Sequence, residues 1–176
     1  MIDTAAQVEP LNLDTARDFD RFVRTRSARL YRAAWFLTGD GHKAEDLVQA
    51  ALAKAYPHYT RVADDEEFEA YLRTTMYRTY IQWWRRRWNG EVPTGNVPDA
   101  AAGAVSGTTR VDLARALAEL PRMQRAVVVL RYYEDRSVEE TAALLGISEG
   151  SVKTHSSRGC ASLRRSTHLS EEASHE

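Results

Sequence analysis

Between Glu91 and Gly107 the chain reads EVPTGNVPDAAAGAVSG, rich in Pro, Gly, Asn, Ser and Ala and without apolar periodicity. Such a segment reads as a flexible linker. Its position restricts the fold more than any other feature. In a chain of 176 residues it leaves a block of about 60 to 70 residues on either side, near the lower size at which a chain folds without staples. The staples are missing. A lone cysteine, Cys160, excludes an intrachain disulfide framework, and five scattered histidines supply no Cys/His cluster for structural zinc. Each block must therefore be a compact unit held by packed apolar faces, and those faces recur at helical spacing, with nothing that reads as a sustained strand. The expected fold is all-α: two small helical domains joined by a flexible linker. The divisions are 1–18, an N-terminal extension; 19–90, the first domain; 91–107, the linker; 108–168, the second domain; and 169–176, an acidic tail.

No apolar run approaches the roughly 18 to 20 residues of a membrane helix. The start carries Asp3, Glu9, Asp14 and Asp18 against Arg17, unlike a signal or transit peptide, so the expected location is the cytoplasm. A formal charge of -1 argues against a nucleic-acid binder only until it is divided. Residues 19–90 hold 13 Lys+Arg against 9 Asp+Glu, and residues 108–168 hold 10 against 7. Two basic blocks are flanked and separated by acidic segments.

In the first block Phe19, Phe22, Val23, Leu30, Ala34 and Leu37 keep helical spacing up to the breaker cluster Thr38-Gly39-Asp40-Gly41. Asp40 or Gly41 then opens a second helix, with Ala44, Leu47, Val48, Ala51 and Ala55 on one face, which Pro57 is expected to end. After a polar stretch, Tyr59 to Glu67, a third helix runs from about Glu67 to Trp88. Phe68, Leu72, Thr75, Met76, Thr79 and Trp83 form its core seam, whereas Arg73, Tyr77, Tyr80, Trp84, Arg87 and Trp88 recur on an adjoining face. From Arg73 to Trp88 there are five arginines and no acid. That face offers phosphate contacts beside rings on which unpaired bases could stack. It is equally readable as bundle core beside a solvated Arg cluster at a helix C-terminus.

In the second block Val111, Leu113, Ala114, Leu117 and Leu120 mark a short helix, and Pro121 suits the first residue of the next, which carries Met123, Val127 and Leu130 inward. Ser137-Val138-Glu139-Glu140 is a capping box. The helix it opens turns Val138, Ala142 and Leu145 inward and stops at Gly146. Ile147 plugs the core, Ser148 caps again, and Val152, His155, Gly159 and Leu163 mark the inner face of a last helix. This is a helix-turn-helix. Its outer face presents Lys153, Thr154, Ser157, Arg158 and Arg165, side chains able to meet base edges and phosphates in a major groove.

In order and spacing, FDRFV, LYRAAWFLTGD, HKAEDLVQAALAKAY, FEAYLRTTMYRTYIQWWRRR and ALAELPRMQRAVVVLRYYEDRSVEETAALLGISEGSVKTHSSRGCASLRR resemble the extracytoplasmic-function sigma factors, and more narrowly their SigE-like actinobacterial group. The resemblance covers about Phe19 to Arg165. It implies a transcription initiation factor, not an enzyme, that binds core RNA polymerase and promoter DNA without a cofactor or metal, with an anti-sigma factor as a further candidate partner. Glu45, Asp46, Val48 and Gln49 fall where the family docks on the polymerase. Tyr77, Tyr80 and Trp84 are then candidates for bases of the -10 element, and Arg73, Arg78, Arg85 and Arg86 for its phosphates. Lys153, Thr154, Ser157 and Arg158 fall where the family reads the -35 element, and the linker resembles the segment that threads the polymerase cleft. Thr79, where the family often has Asn, and His155 and Gly159, where many relatives have Arg and Ala, depart from the pattern.

Three rival readings compete. A stand-alone helix-turn-helix regulator shares the Val138 to Leu163 pattern but leaves Asp46 to Trp88 without a role. A small hydrolase or nuclease would use Asp64, Asp65, Glu66, Glu67 and Glu69 with His58, a cluster with no second set of ligands. An interaction adaptor would not need the groove-facing cations.

Overall fold

A computed structural model describes residues 13–88 and 108–170; the linker 91–107 lies outside the described residues. Helices α1 (Leu13–Thr38), α2 (Gly41–Tyr59) and α3 (Asp65–Trp88) build the first half, and α4 (Thr108–Glu119), α5 (Arg122–Val128), α6 (Val138–Leu145), α7 (Glu149–Arg164) and α8 (Thr167–Ser170) the second. No strand occurs among the described residues.

The breaker residues act where their chemistry requires. Gly39 takes φ 68°, open to a residue without Cβ, and Asp40 caps α2 by accepting from the Lys43 N–H at 3.0 Å. Asp64 accepts from the Glu67 N–H at 2.8 Å, and Glu67 accepts in turn from the Ala63 N–H. Two carboxylates of the acidic stretch thus serve the start of α3, which begins at Asp65 rather than Glu67. Two other boundaries also differ from expectation. Helix α1 starts at Leu13, inside the segment read as an extension. Pro57 lies inside α2, in its last turn, where the absent N–H costs one bond near an end that frays anyway.

The first half buries Phe22, Leu30, Ala34 and Leu37 of α1 against Ala44, Leu47, Ala51 and Ala55 of α2 and Phe68, Leu72 and Met76 of α3. At one end Phe68 receives Phe22 and Tyr59 edge-on, at 5.0 and 4.9 Å between ring centres, contacts worth about 0.5 to 1.5 kcal/mol each beyond their buried area. In the second half Leu117, Leu120, Val127, Leu130, Leu145 and Val152 form the interior. Pro121 stands at the cap of α5, one position before the expected helical start. After α5 the chain passes through a π-helical turn, Val129–Tyr133, a feature that periodicity did not signal.

The two halves pack against each other. Their buried side chains form one continuous cluster, with α1 against α4, α5 and the π-helical turn, and α3 against α6. Arg125 of α5 joins them: its guanidinium donates to the carbonyls of Leu37, Ala118 and Leu120 at 3.0, 2.7 and 3.1 Å. These carbonyls lie at the C-terminal ends of α1 and α4, where partners are lacking and negative partial charge collects. Burial pulls the Arg125 guanidinium below its usual range.

Candidate nucleic-acid interface

The helix-turn-helix is fixed at each joint by a named residue. The Ser137 hydroxyl accepts from the Glu140 N–H at 3.0 Å while the Glu140 carboxylate accepts from the Ser137 N–H at 2.8 Å, a reciprocal cap that satisfies two otherwise orphaned donors. That backbone donor, ahead of the nearby Arg136 charge, holds the Glu140 carboxyl below its usual range. Gly146 takes φ 67° and ψ 37° after α6, the left-handed conformation that glycine adopts without steric cost. Ser148 starts α7 by accepting from the Ser151 N–H at 3.1 Å. Val152 is completely buried, and this register turns Lys153, Thr154, Ser157 and Arg158 outward together, all four exposed. Thr154 donates its hydroxyl to the Gly150 carbonyl at 3.0 Å, which leaves its oxygen and methyl for a groove.

Gly159 has a stricter role than its departure from the family pattern suggested. A Cβ there would stand 2.7 Å from Cγ2 of Val128, so its absence sets how closely α7 sits on α5. His155 is half-buried, with its Nδ1 buried and unpartnered.

On α3 the expected face divides. Arg78, Arg85 and Arg86 are exposed and Trp84 is half-buried. The other members of the set are covered. Tyr77 is 1% exposed and Tyr80 8%; Tyr80 donates to the Leu37 carbonyl at 3.1 Å, beside Arg125, and Tyr77 donates to Glu134 Oε1 at 3.4 Å. Burial raises both phenols, well above the usual range for Tyr77. Arg73 is enclosed by Glu69 and by Glu134, the latter at 3.2 Å. In this conformation residues of the second half and the end of α1 cover the stripe. On α2, Glu45, Asp46 and Gln49 are exposed. Val48, expected on the docking face, is 5% exposed and belongs to the core; it follows Leu47 on a helix buried over more than one line of residues.

Sequence reasoning passed over the basic surface of α1, where Arg24, Arg26 and Arg29 are exposed, and Glu134, whose place opposite Arg73 depends on tertiary contact. Of the acidic stretch, Asp64 and Glu67 cap α3 and Glu69 pairs with Arg26 at 2.7 Å and with Arg73. No group of three His, Cys, Asp or Glu side chains suited to a metal ion occurs among the described residues. Among them, no helix is long and apolar enough to cross a membrane.

Two family models match the chain: Sigma-70 region 2 over residues 22–90 and Sigma-70, region 4 over residues 110–163. The RNA polymerase sigma-E factor of Streptomyces avermitilis is 43% identical over 149 residues, 84% of this chain and 83% of that protein. The ECF RNA polymerase sigma factor SigL of Mycobacterium tuberculosis is 35% identical over 73% of this chain and 76% of its own length. Among solved structures, sigma factor RpoE in complex with the anti-sigma factor NepR, from Bartonella quintana, superimposes with a TM-score of 0.61 at 25% identity, covering 85% of this chain and 96% of that one.

Proposed function

We infer how this chain works from a premise: it belongs to the sigma-70 family, among the extracytoplasmic-function sigma factors, and is an initiation factor that directs transcription to promoters. Core RNA polymerase and promoter DNA are its partners, the cytoplasm is its place of action, and its part is binding rather than catalysis. The observation that carries the residue-level reading is the common outward turn of Lys153, Thr154, Ser157 and Arg158 on α7.

These four side chains read the -35 duplex. Arg158 can pair with a guanine edge through two hydrogen bonds, a contact worth about 1 to 3 kcal/mol of discrimination, and Lys153 can meet a base or a phosphate. Arg78, Arg85 and Arg86 hold phosphates at -10, and Trp84 stacks on a base of the opened strand. Glu45, Asp46 and Gln49 dock on the polymerase; their exposed acidic face has no part in holding DNA. An anti-sigma factor is proposed as a further partner, on the likeness to a Bartonella factor bound to one.

Reconstitution with core polymerase on genomic DNA tests this reading. Transcripts should begin at a fixed distance from two shared sequence elements, and Asp46→Arg should weaken core binding at unchanged helical content. Absence of new start sites with the wild-type chain would overturn the assignment.

A further inference from the structure

Glu134 is the acidic group that the proposed DNA-binding role leaves unexplained. It follows the π-helical turn in the second half, yet its side chain, 1% exposed, enters the first half. There Oε2 lies 3.2 Å from Arg73 and 3.9 Å from Arg29, and Oε1 accepts from Tyr77. Asp135, next in the chain, has φ 54°, in the left-handed region that Asp enters more readily than most residues with a Cβ. We propose that Glu134 is a phosphate-mimicking latch: in the free protein its carboxylate occupies a guanidinium site of Arg73 and Arg29, which takes a backbone phosphate of the unpaired DNA strand when the halves part. The inference rests on the assignment of α3 to the opened -10 strand.

Three observations support it. The first is charge. Arg26 and Arg73 share Glu69, and Arg29 stands beside them, its side chain 55% exposed. With Glu134 withdrawn, three guanidinium groups face one carboxylate, and an anion is needed to replace it. The second is imperfect satisfaction. Arg73 Nε and Glu134 Oε2 are buried without a hydrogen bond, although the pair is close enough for ionic attraction. An enclosed pair with spare donors is poorly suited to permanent closure, whereas a phosphate brings more acceptor oxygens.

The third is geometry. Besides Glu134, the halves meet through Phe36 edge-on to Tyr133 at 5.2 Å, through Arg125 on the Leu37 carbonyl, and through Gly39 beside Ala118. Elements at -35 and -10 are about 25 base pairs apart, roughly 85 Å along a duplex. Halves in contact cannot engage both. Opening therefore precedes engagement of both elements, and it removes Glu134 from Arg73 at the step when a phosphate has to enter.

A reversible staple tests the latch in the full chain. A Cβ at Gly39 would lie 3.5 Å from the Ala118 Cβ, within the span of a disulfide, so Gly39→Cys with Ala118→Cys, in a Cys160→Ser background, should cross-link on oxidation, at a cost in stability because residue 39 has φ 68°. The probe is a fluorescent oligo-dT strand of about 12 nucleotides. Oxidised protein should bind it at least about tenfold more weakly than the same protein reduced, since the staple holds the phosphate site covered. Without a staple, Glu134→Gln should tighten binding by about fivefold, a gain that Arg73→Gln in the same chain should abolish. A folded double-cysteine chain that does not cross-link, equal binding by its oxidised and reduced forms, or a Glu134→Gln gain that survives loss of Arg73 would each overturn the latch. Should the staple variant fail to fold, the Glu134 and Arg73 pair decides alone. Transcription with core polymerase separates this inference from the family role: activity in both redox forms contradicts the latch, whereas strand binding as expected with no transcript in either form contradicts the polymerase assignment.

Discussion

Helices α3 and α7 carry the two proposed reading faces, one in each half, and the structure treats them oppositely. On α7 all four proposed readers are in solvent, while on α3 Tyr77, Tyr80 and Arg73 are covered and the arginines at 78, 85 and 86 stand clear. The difference follows from what each face has to read. A major groove presents donors and acceptors, so its readers are polar and lose little by waiting in water. Unpaired bases present apolar faces, so their readers are aromatic, and an aromatic face is buried whenever a complementary surface is within reach. A chain that must open DNA thus carries a surface prone to self-association, and here the second half supplies the cover.

The contrast can be broken first at the seat of α7. Gly159→Val places atoms against Val128 in a packed interior and should cost about 3 kcal/mol, read as a lowered urea midpoint at unchanged slope; stability within error of wild type would mean that α7 does not depend on that close approach. A smaller effect, confined to one face, is expected for Arg158→Ala: on promoters substituted base by base at -35 it should relax preference at one or two positions by about 1 to 3 kcal/mol. Uniform loss across the panel would instead make Arg158 a phosphate contact.

Smallest is the cap. Ser137→Ala should destabilise the second half by about 1 kcal/mol. Glu140, its reciprocal partner, is held below the usual carboxylate range by the Ser137 N–H, so its stabilisation is complete above the unfolded carboxyl value, about 4.3, and is lost as pH falls through the lower folded value. The stability advantage of wild type over Glu140→Gln should accordingly shrink on acidification. An advantage that grows would contradict the cap.

The second half was more legible than the first because its signals are local. Ser137, Glu140, Gly146 and Ser148 act on neighbours within a turn or two, and each acts as spacing suggests. Helical periodicity also placed Tyr77 and Tyr80 on one stripe, but a period states which residues share a face and not what covers it. The cover comes from Glu134 and Arg125, far along the chain, and no local pattern marks that pairing. The burial of Val48, with Leu47 beside it buried too, is hidden from the period in the same way. The need for glycine at 159 is equally invisible in sequence, since it depends on Val128 across a helix packing.

The most direct measurement of the two-face account is permanganate reactivity of thymines around -10 in complexes with core polymerase, comparing wild type with Trp84→Ala. Trp84 is half-buried in the closed chain and is assigned to stacking on the opened strand, which is worth about 1 to 3 kcal/mol per base. The account predicts that both proteins place polymerase on the promoter to the same extent, through an untouched α7, and that reactivity falls by about five- to a hundredfold in the variant. Equal reactivity in the two complexes would contradict it.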